Sequence, residues 1–150
     1  MRLCLYQPDI PQNAGTSLRL AACLGVAVDL IGPAGFDMSD RAFKRAHLDY
    51  LDQVVITRHE SFAAFQLTVA KPARLVLLTS RATTNYLDFA FADDDILMLG
   101  RESAGVPDAV HAAVDARIGI ALRPGLRSLN VAVAGAMVLG EALRQVRPRP

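Results

Sequence analysis

The chain has 150 residues, 52% hydrophobic and 21% charged, with a formal net charge of +1. That length fits one domain over 1–150 with a core of its own, and the near-neutral balance excludes nucleic-acid binding through overall basicity, so any such binding has to be local. No apolar run reaches the ~18 residues of a membrane span and the start MRLCLYQPDI lacks the long apolar stretch of a signal peptide, which predicts a cytoplasmic protein with no membrane association.

In chain order, Arg2 to Tyr6 predicts a strand, and Pro8 and Pro11 an extended loop after it. Asn13 is placed to cap a helix reaching about Leu24, with Leu18, Leu20, Ala21, Ala22 and Leu24 on its buried face. Val26 to Ile31 predicts a strand ended by Gly32-Pro33; Ser39 and Asp40 open a helix through about Ala46, and Val54 to Ile56 predicts a third strand. A short helix over Ser61 to Val69, strands at Leu75 to Thr79 and Ile96 to Leu99, a helix over Pro107 to Val114 and a strand near Arg117 to Ala121 follow. The last helix, Asn130 to about Gln145, has only Glu141 and Arg144 as charges, so it should be buried on several sides, by its own sheet and by a second subunit. Such alternation predicts an α/β fold: a mostly parallel sheet with helices on both faces. The high apolar share likewise implies a partner surface.

Three polar clusters interrupt this pattern. Gly100-Arg101-Glu102-Ser103-Ala104-Gly105-Val106-Pro107 follows a strand directly, with a carboxylate between two glycines where open α/β sheets bind ligands. An ordinary strand-to-helix turn is the alternative. Asn13 to Arg19 and Arg127 to Asn130 sit at helix starts, where free N–H groups favour an anion, or where Asn13, Ser128 or Asn130 simply caps. Three strand ends, Leu78-Thr79-Ser80, Leu99-Gly100 and Ile118-Gly119-Ile120, turn from apolar to small or polar and suit a planar, largely apolar ligand held by main-chain groups. Neither a GxxxxGK[ST] loop nor a GxGxxG after the first strand is present, consistent with a nucleotide-like ligand lacking a phosphate chain. HExxH, GxSxG and a Cys/His pair are absent too, so no metal is expected, and Cys4 and Cys23 read as buried free thiols. His47, His59 and His111 are scattered and fit surface or packing roles. Arg41, Lys44 and Arg45 share one helical face, either as a local basic patch or as solvated surface.

Taken in order, Asn13-x-Gly15-x-x-x-Arg19, Leu99-Gly100-x-Glu102-x-x-Gly105-Val106-Pro107 and Arg127-Ser128-Leu129-Asn130-Val131-Ala132 resemble the three motifs of the SPOUT superfamily of S-adenosylmethionine-dependent RNA methyltransferases. Tyr6 to Pro11, Arg45 to Tyr50 and Leu51 to His59 are most similar to the branch that methylates the wobble ribose of tRNA. The resemblance implies a carboxyl-terminal trefoil knot, which strand-connection rules exclude by default, and an obligate homodimer. It implies S-adenosyl-L-methionine held at Leu78, Gly100, Ile120 and Ser128. It also implies methyl transfer to a ribose 2′-oxygen of a tRNA anticodon stem-loop, with Arg19 as principal catalytic residue and Glu102 and Asn130 beside it. Asn13 and the cluster Arg41, Lys44 and Arg45 would meet the RNA. An arginine is a poor base, so positioning the neighbouring phosphate is the easier role for Arg19. Gly140 stands where relatives carry a tyrosine, and Arg101 where proline is frequent. Ribosomal RNA or another tRNA position as target, and a non-catalytic RNA-binding dimer, are the competing readings.

Overall fold

The computed structural model describes residues 1–45 and 50–147, with the Arg45 side chain excepted. Its strands are β1 (Arg2–Tyr6), β2 (Ala27–Ile31), β3 (Ile56–His59), β4 (Leu75–Leu78), β5 (Ile96–Leu99) and β6 (Ala116–Ile118). They form one sheet in the order β3-β2-β1-β5-β4-β6, every pairing parallel. The helices are α1 (Pro11–Leu24), α2 (Asp40–Arg45), α3 (Phe62–Gln66), α4 (Asp108–Ala113) and α5 (Val131–Val146). The expected α/β architecture is therefore present.

Strand alternation divides the core. Leu3, Leu5, Leu97 and Leu99 point to the face covered by α1 and α5, whereas Cys4, Tyr6, Ile96 and Met98 point to the face covered by Phe65 of α3 and Val110 of α4. Each fully buried Leu or Phe contributes about 1.5–3 kcal/mol through removal from water, so both faces are needed. On the second face Asp29 of β2 is buried, bonded to His59 Nε2 at 2.8 Å and 3.3 Å from Arg2 Nε, which ties the edge strand to the sheet centre.

Connections at the carboxyl edge determine where a ligand can sit. The chain leaves β1 towards β2 but leaves β5 across β4 towards β6, so strand order reverses between the adjacent β1 and β5. The stretch after β6 is also held by the loop that follows β4. Thr79 N–H donates to Ile118 O at 2.9 Å, Gly119 N–H to Thr84 O at 2.9 Å and Tyr86 N–H to Gly119 O at 2.9 Å. A Cβ on Gly119 would stand 3.0 Å from Thr79 O, so only glycine passes there without displacing that loop.

Four local expectations need correction. Asn13 does not cap α1: Pro11, whose fixed φ suits the first helical position, starts the helix earlier, and Ile10 is the N-cap with no side-chain bond. Val54 to Ile56 is not the third strand, because pairing with β2 runs from Ile56 to His59, while Val54 closes a 3₁₀ turn at Leu51–Gln53 and Val55 is 71% exposed. Cys4 is buried as expected, but Cys23 is exposed on α1. The last strand ends at Ile118, so Gly119 to Ala121 are not strand. The expected end of α2 at Ala46, and His47, lie outside the described residues.

Candidate functional site

A cavity of about 460 Å³ opens at the carboxyl edge between β4, β5, the chain after β6 and the start of α5. Leu78, Gly100, Ile120 and Ser128, the four expected cofactor positions, all line it, as do Asn13, Glu102 and Asn130. Its volume lies in the range of small-molecule sites, ~300–1,000 Å³. The lining is of two kinds: apolar residues such as Leu77, Leu99 and Val106, and glycine and small polar residues at Thr79, Ser80, Gly100 and Ser128. Such a lining can sandwich a flat apolar ring and bond its edge through peptide groups.

The rim loop after β5 is closed on itself. Arg101 N–H donates to Gly105 O at 3.1 Å and Gly105 N–H to Arg101 O at 2.8 Å, with Gly105 at φ +64°. A Cβ on Gly100 would meet Gly105 Cα and C at 3.0 Å, so residue 100 has to be glycine for this closure. The loop is also tied to the chain after β1. Asp9 N–H donates to Glu102 Oε2 at 2.9 Å, Glu102 N–H donates to Asp9 Oδ1 at 3.1 Å, and the Ser103 hydroxyl donates to Asp9 Oδ2. Arg101 Nε lies 3.5 Å from Asp9 Oδ2. Hydrogen bonding with Glu102 foremost, then with Ser103, brings the Asp9 carboxyl from 3.8 down to about 2.

At the opposite wall Asn130 is the N-cap of α5, its Oδ1 accepting from Ala132 N–H at 2.9 Å and Val133 N–H at 3.2 Å. With Oδ1 so used, its amide donates to Asn13 Oδ1 at 2.9 Å, which joins the first and third sequence clusters.

Not every expected residue is here. Arg19 is exposed on α1 and off the cavity, its guanidinium 4.7 Å from the centre of the Tyr50 ring and its Nη2 3.4 Å from the Tyr50 hydroxyl. Arg41 and Lys44 are exposed on α2, also off the cavity, and the Arg45 side chain lies outside the described residues. Sequence reasoning passed over Asp9 and Tyr50. Asp9 meets its partners across 93 residues, a pairing no local spacing reveals. Gly140 faces open space, with no atom within 4 Å of a Cβ placed there. Among the described residues no group of His, Cys, Asp or Glu is arranged to hold a metal, and no helix is long and apolar enough to cross a membrane.

Residues 1–140 match the model of the SpoU rRNA methylase family. The chain is 66% identical over 145 residues to the tRNA (cytidine(34)-2'-O)-methyltransferase of Beijerinckia indica subsp. indica, covering 96% of this chain and 91% of that protein. A solved structure that gives insight into 2-OH methylation of C/U34 on tRNA superposes with a TM-score of 0.88 at 42% identity, over 96% of this chain and 89% of that one. The SpoU methyltransferase AviRb from Streptomyces viridochromogenes, solved with the cofactor AdoMet, superposes with a TM-score of 0.87 at 27% identity, over 97% of this chain and 57% of its own length. A parallel sheet whose reversed strand order opens on a cavity at its carboxyl edge thus coincides with a match along nearly the whole sequence, and the chain belongs to the SpoU rRNA methylase family.

Proposed function

We propose that this chain is an S-adenosylmethionine-dependent methyltransferase acting on the ribose 2′-oxygen of nucleotide 34 of tRNA, cytidine or modified uridine. One observation carries the reading: Leu78, Gly100, Ile120 and Ser128, distant in sequence, line a single cavity of about 460 Å³ together with Asn13, Glu102 and Asn130. The Beijerinckia indica relative is a tRNA (cytidine(34)-2'-O)-methyltransferase, the structure at 42% identity concerns 2-OH methylation of C/U34 on tRNA, and the AviRb structure holds AdoMet on the same fold.

When bound, S-adenosylmethionine supplies the methyl group carried on its sulfonium. The peptide groups at the ends of β4 and β5 and after β6 hold and orient it, while Leu77, Leu99 and Val106 exclude water from its apolar parts. Transfer needs the 2′-oxygen close to the methyl carbon and its proton removed as the bond forms. Glu102 and Asn130 shape the acceptor side of the cavity, with Asn13 bonded behind Asn130. Arg19 binds the phosphate beside the acceptor ribose, a role that suits its always-charged fork. Because Arg19 is on the exposed face of α1 and off the cavity, it serves the cavity of a second copy.

The working form is a homodimer in the cytoplasm. Val133 and Met137, 51% and 41% exposed, share one face of α5 with Gly140, a stripe suited to a second copy. The chain over 1–150 acts as one methyltransferase domain, and the bonds by which the loop after β4 grips Ile118 and Gly119 support a trefoil knot. Arg41, Lys44 and Arg45 extend the RNA contact towards the anticodon stem-loop.

The test is methyl transfer from radiolabelled S-adenosylmethionine to bulk tRNA and, in a parallel assay, to ribosomal RNA, followed by mapping of the methylated nucleotide. Label at the ribose of nucleotide 34 is expected, and Arg19→Ala should abolish turnover while S-adenosylmethionine affinity stays within about twofold. Label in ribosomal RNA or elsewhere in tRNA would replace the target. Binding of RNA without any transfer would replace the enzyme by a binding module.

A further inference from the structure

Asp9 lies between β1 and α1, before the Pro11 that starts the helix, and all its strong contacts go to one place. Its Oδ1 accepts the Glu102 N–H at 3.1 Å, its Oδ2 accepts the Ser103 hydroxyl and stands 3.5 Å from Arg101 Nε, and its own N–H donates to Glu102 Oε2 at 2.9 Å. Three consecutive residues of the rim loop are therefore tied to a single carboxylate. From behind, Gly35 N–H donates to Pro8 O at 2.9 Å, and Gly35 passes so close that a Cβ there would lie 2.9 Å from the Asp9 Cβ. Gly35 thus backs Asp9 on that side.

Both elements joined in this way are cavity walls. Arg101 and Glu102 line the cavity from the loop after β5, and Ile10 and Asn13, next to Asp9 in the chain, line it from the other side. The reciprocal Asp9–Glu102 bonds span from one to the other. The Asp9 carboxyl, held at about 2, stays charged across the working pH range, which keeps its bonds in the stronger, charge-assisted class.

We propose that Asp9 is a positioning residue of the methyltransferase: it latches the Gly100 to Gly105 loop to the start of α1 and so presets the cavity for S-adenosylmethionine. The proposal rests on reading the cavity as the S-adenosylmethionine site. A preset wall spares the ordering that a loose loop would undergo on binding, so the effect falls on affinity rather than on the bond-making step.

The experiment is calorimetric titration of S-adenosylmethionine into wild type, Asp9→Ala, Asp9→Asn and Ser103→Ala, alongside steady-state kinetics and thermal melting without ligand. Asp9→Ala should raise Kd and KM for S-adenosylmethionine about tenfold, the scale of lost hydrogen bonds to a charged group, with KM for tRNA unchanged and kcat lowered about twofold at most. Asp9→Asn, whose Oδ1 still accepts the Glu102 N–H, should recover part of that loss. A lowered melting temperature with wild-type Kd would make Asp9 purely structural and overturn the proposal. If Asp9→Ala does not fold, wild-type affinity in both Asp9→Asn and Ser103→Ala overturns it equally. Failure of the unaltered protein to bind S-adenosylmethionine would remove the cavity reading itself and this proposal with it, an outcome visible without any variant.

Discussion

Asn130 and Asn13, 117 residues apart, are joined amide to amide by a 2.9 Å hydrogen bond. The bond is directional because the α5 cap leaves Asn130 only its NH₂ to offer. Asn13→Ala should therefore cost about 1 kcal/mol, one hydrogen bond. Asn130→Ala, which also strips the cap from Ala132 and Val133 N–H, should cost about 1–2 kcal/mol. Urea unfolding of the two single variants and the double should reveal a coupling of about 0.5–1 kcal/mol. Strict additivity would show that the bond joining the clusters carries no energy.

Gly100 and Gly140 make a contrast in what a methyl group meets. At Gly100 an added Cβ would be 3.0 Å from the main chain of Gly105, which its bonds to Arg101 hold in place. Gly100→Ala should destabilise by about 1–3 kcal/mol and lower S-adenosylmethionine affinity at least tenfold, because the rim loop has to open. At Gly140 nothing of its own chain beyond the helix backbone lies within 4 Å, so in protein diluted to the monomer Gly140→Ala should instead stabilise the helix by about 0.5–1 kcal/mol. Melting and calorimetric titration of both variants check this, and equal effects would refute the packing argument.

The two substitutions also mark how far the sequence could be read. β1 and β5 are apolar runs bounded by turn residues, and their ends fell where expected, as did the α5 cap at Asn130. Composition at strand ends placed Leu78, Gly100 and Ile120 in one cavity, since parallel strands deliver their carboxyl ends to one edge. Position along β3 was not legible. Val54, Val55 and Ile56 are equally apolar, and only register with β2 selects among them. Asp9 was hidden because its partners are brought to it by strand order, and the exposure of Arg19 on α1 was not legible because its motif specifies a residue type and a spacing but not a face.

His111 gives a pH dependence. It is buried on α4 with Nδ1 unbonded, and burial first, then the charges of Arg81 and Arg117, lowers it below the usual 6.5. The unfolded chain takes up this proton near pH 6.5 while the folded chain resists it. The contribution to stability is thus complete above 6.5 and is lost as pH falls through the lowered folded value. Urea midpoints at about pH 7.5 and about pH 5.5 should therefore draw closer in His111→Phe than in wild type. An unchanged gap would assign the acid sensitivity to other groups.

The exposed stripe on α5 and the exposed Arg19 on α1 lead to one combined expectation. Met137→Glu sets a charge beside Val133 on the stripe, and the variant should sediment as a monomer at roughly micromolar concentration and lose transfer activity. Subunit mixing then tests where Arg19 acts. Arg19→Ala has an intact cavity and Gly100→Ala an intact arginine, and at an S-adenosylmethionine concentration that fills the wild-type cavity but lies well below the raised Kd of Gly100→Ala each alone should show little transfer. Mixed one to one, about half the dimers are hybrid, and each hybrid regains one of its two sites if Arg19 reaches across the interface, so about a quarter of wild-type activity should return. No recovery, from hybrids shown by mass to have formed, would keep Arg19 within its own subunit. The α1 segment would then have to move before the guanidinium could meet the acceptor ribose, because in this structure it is stacked on Tyr50 instead.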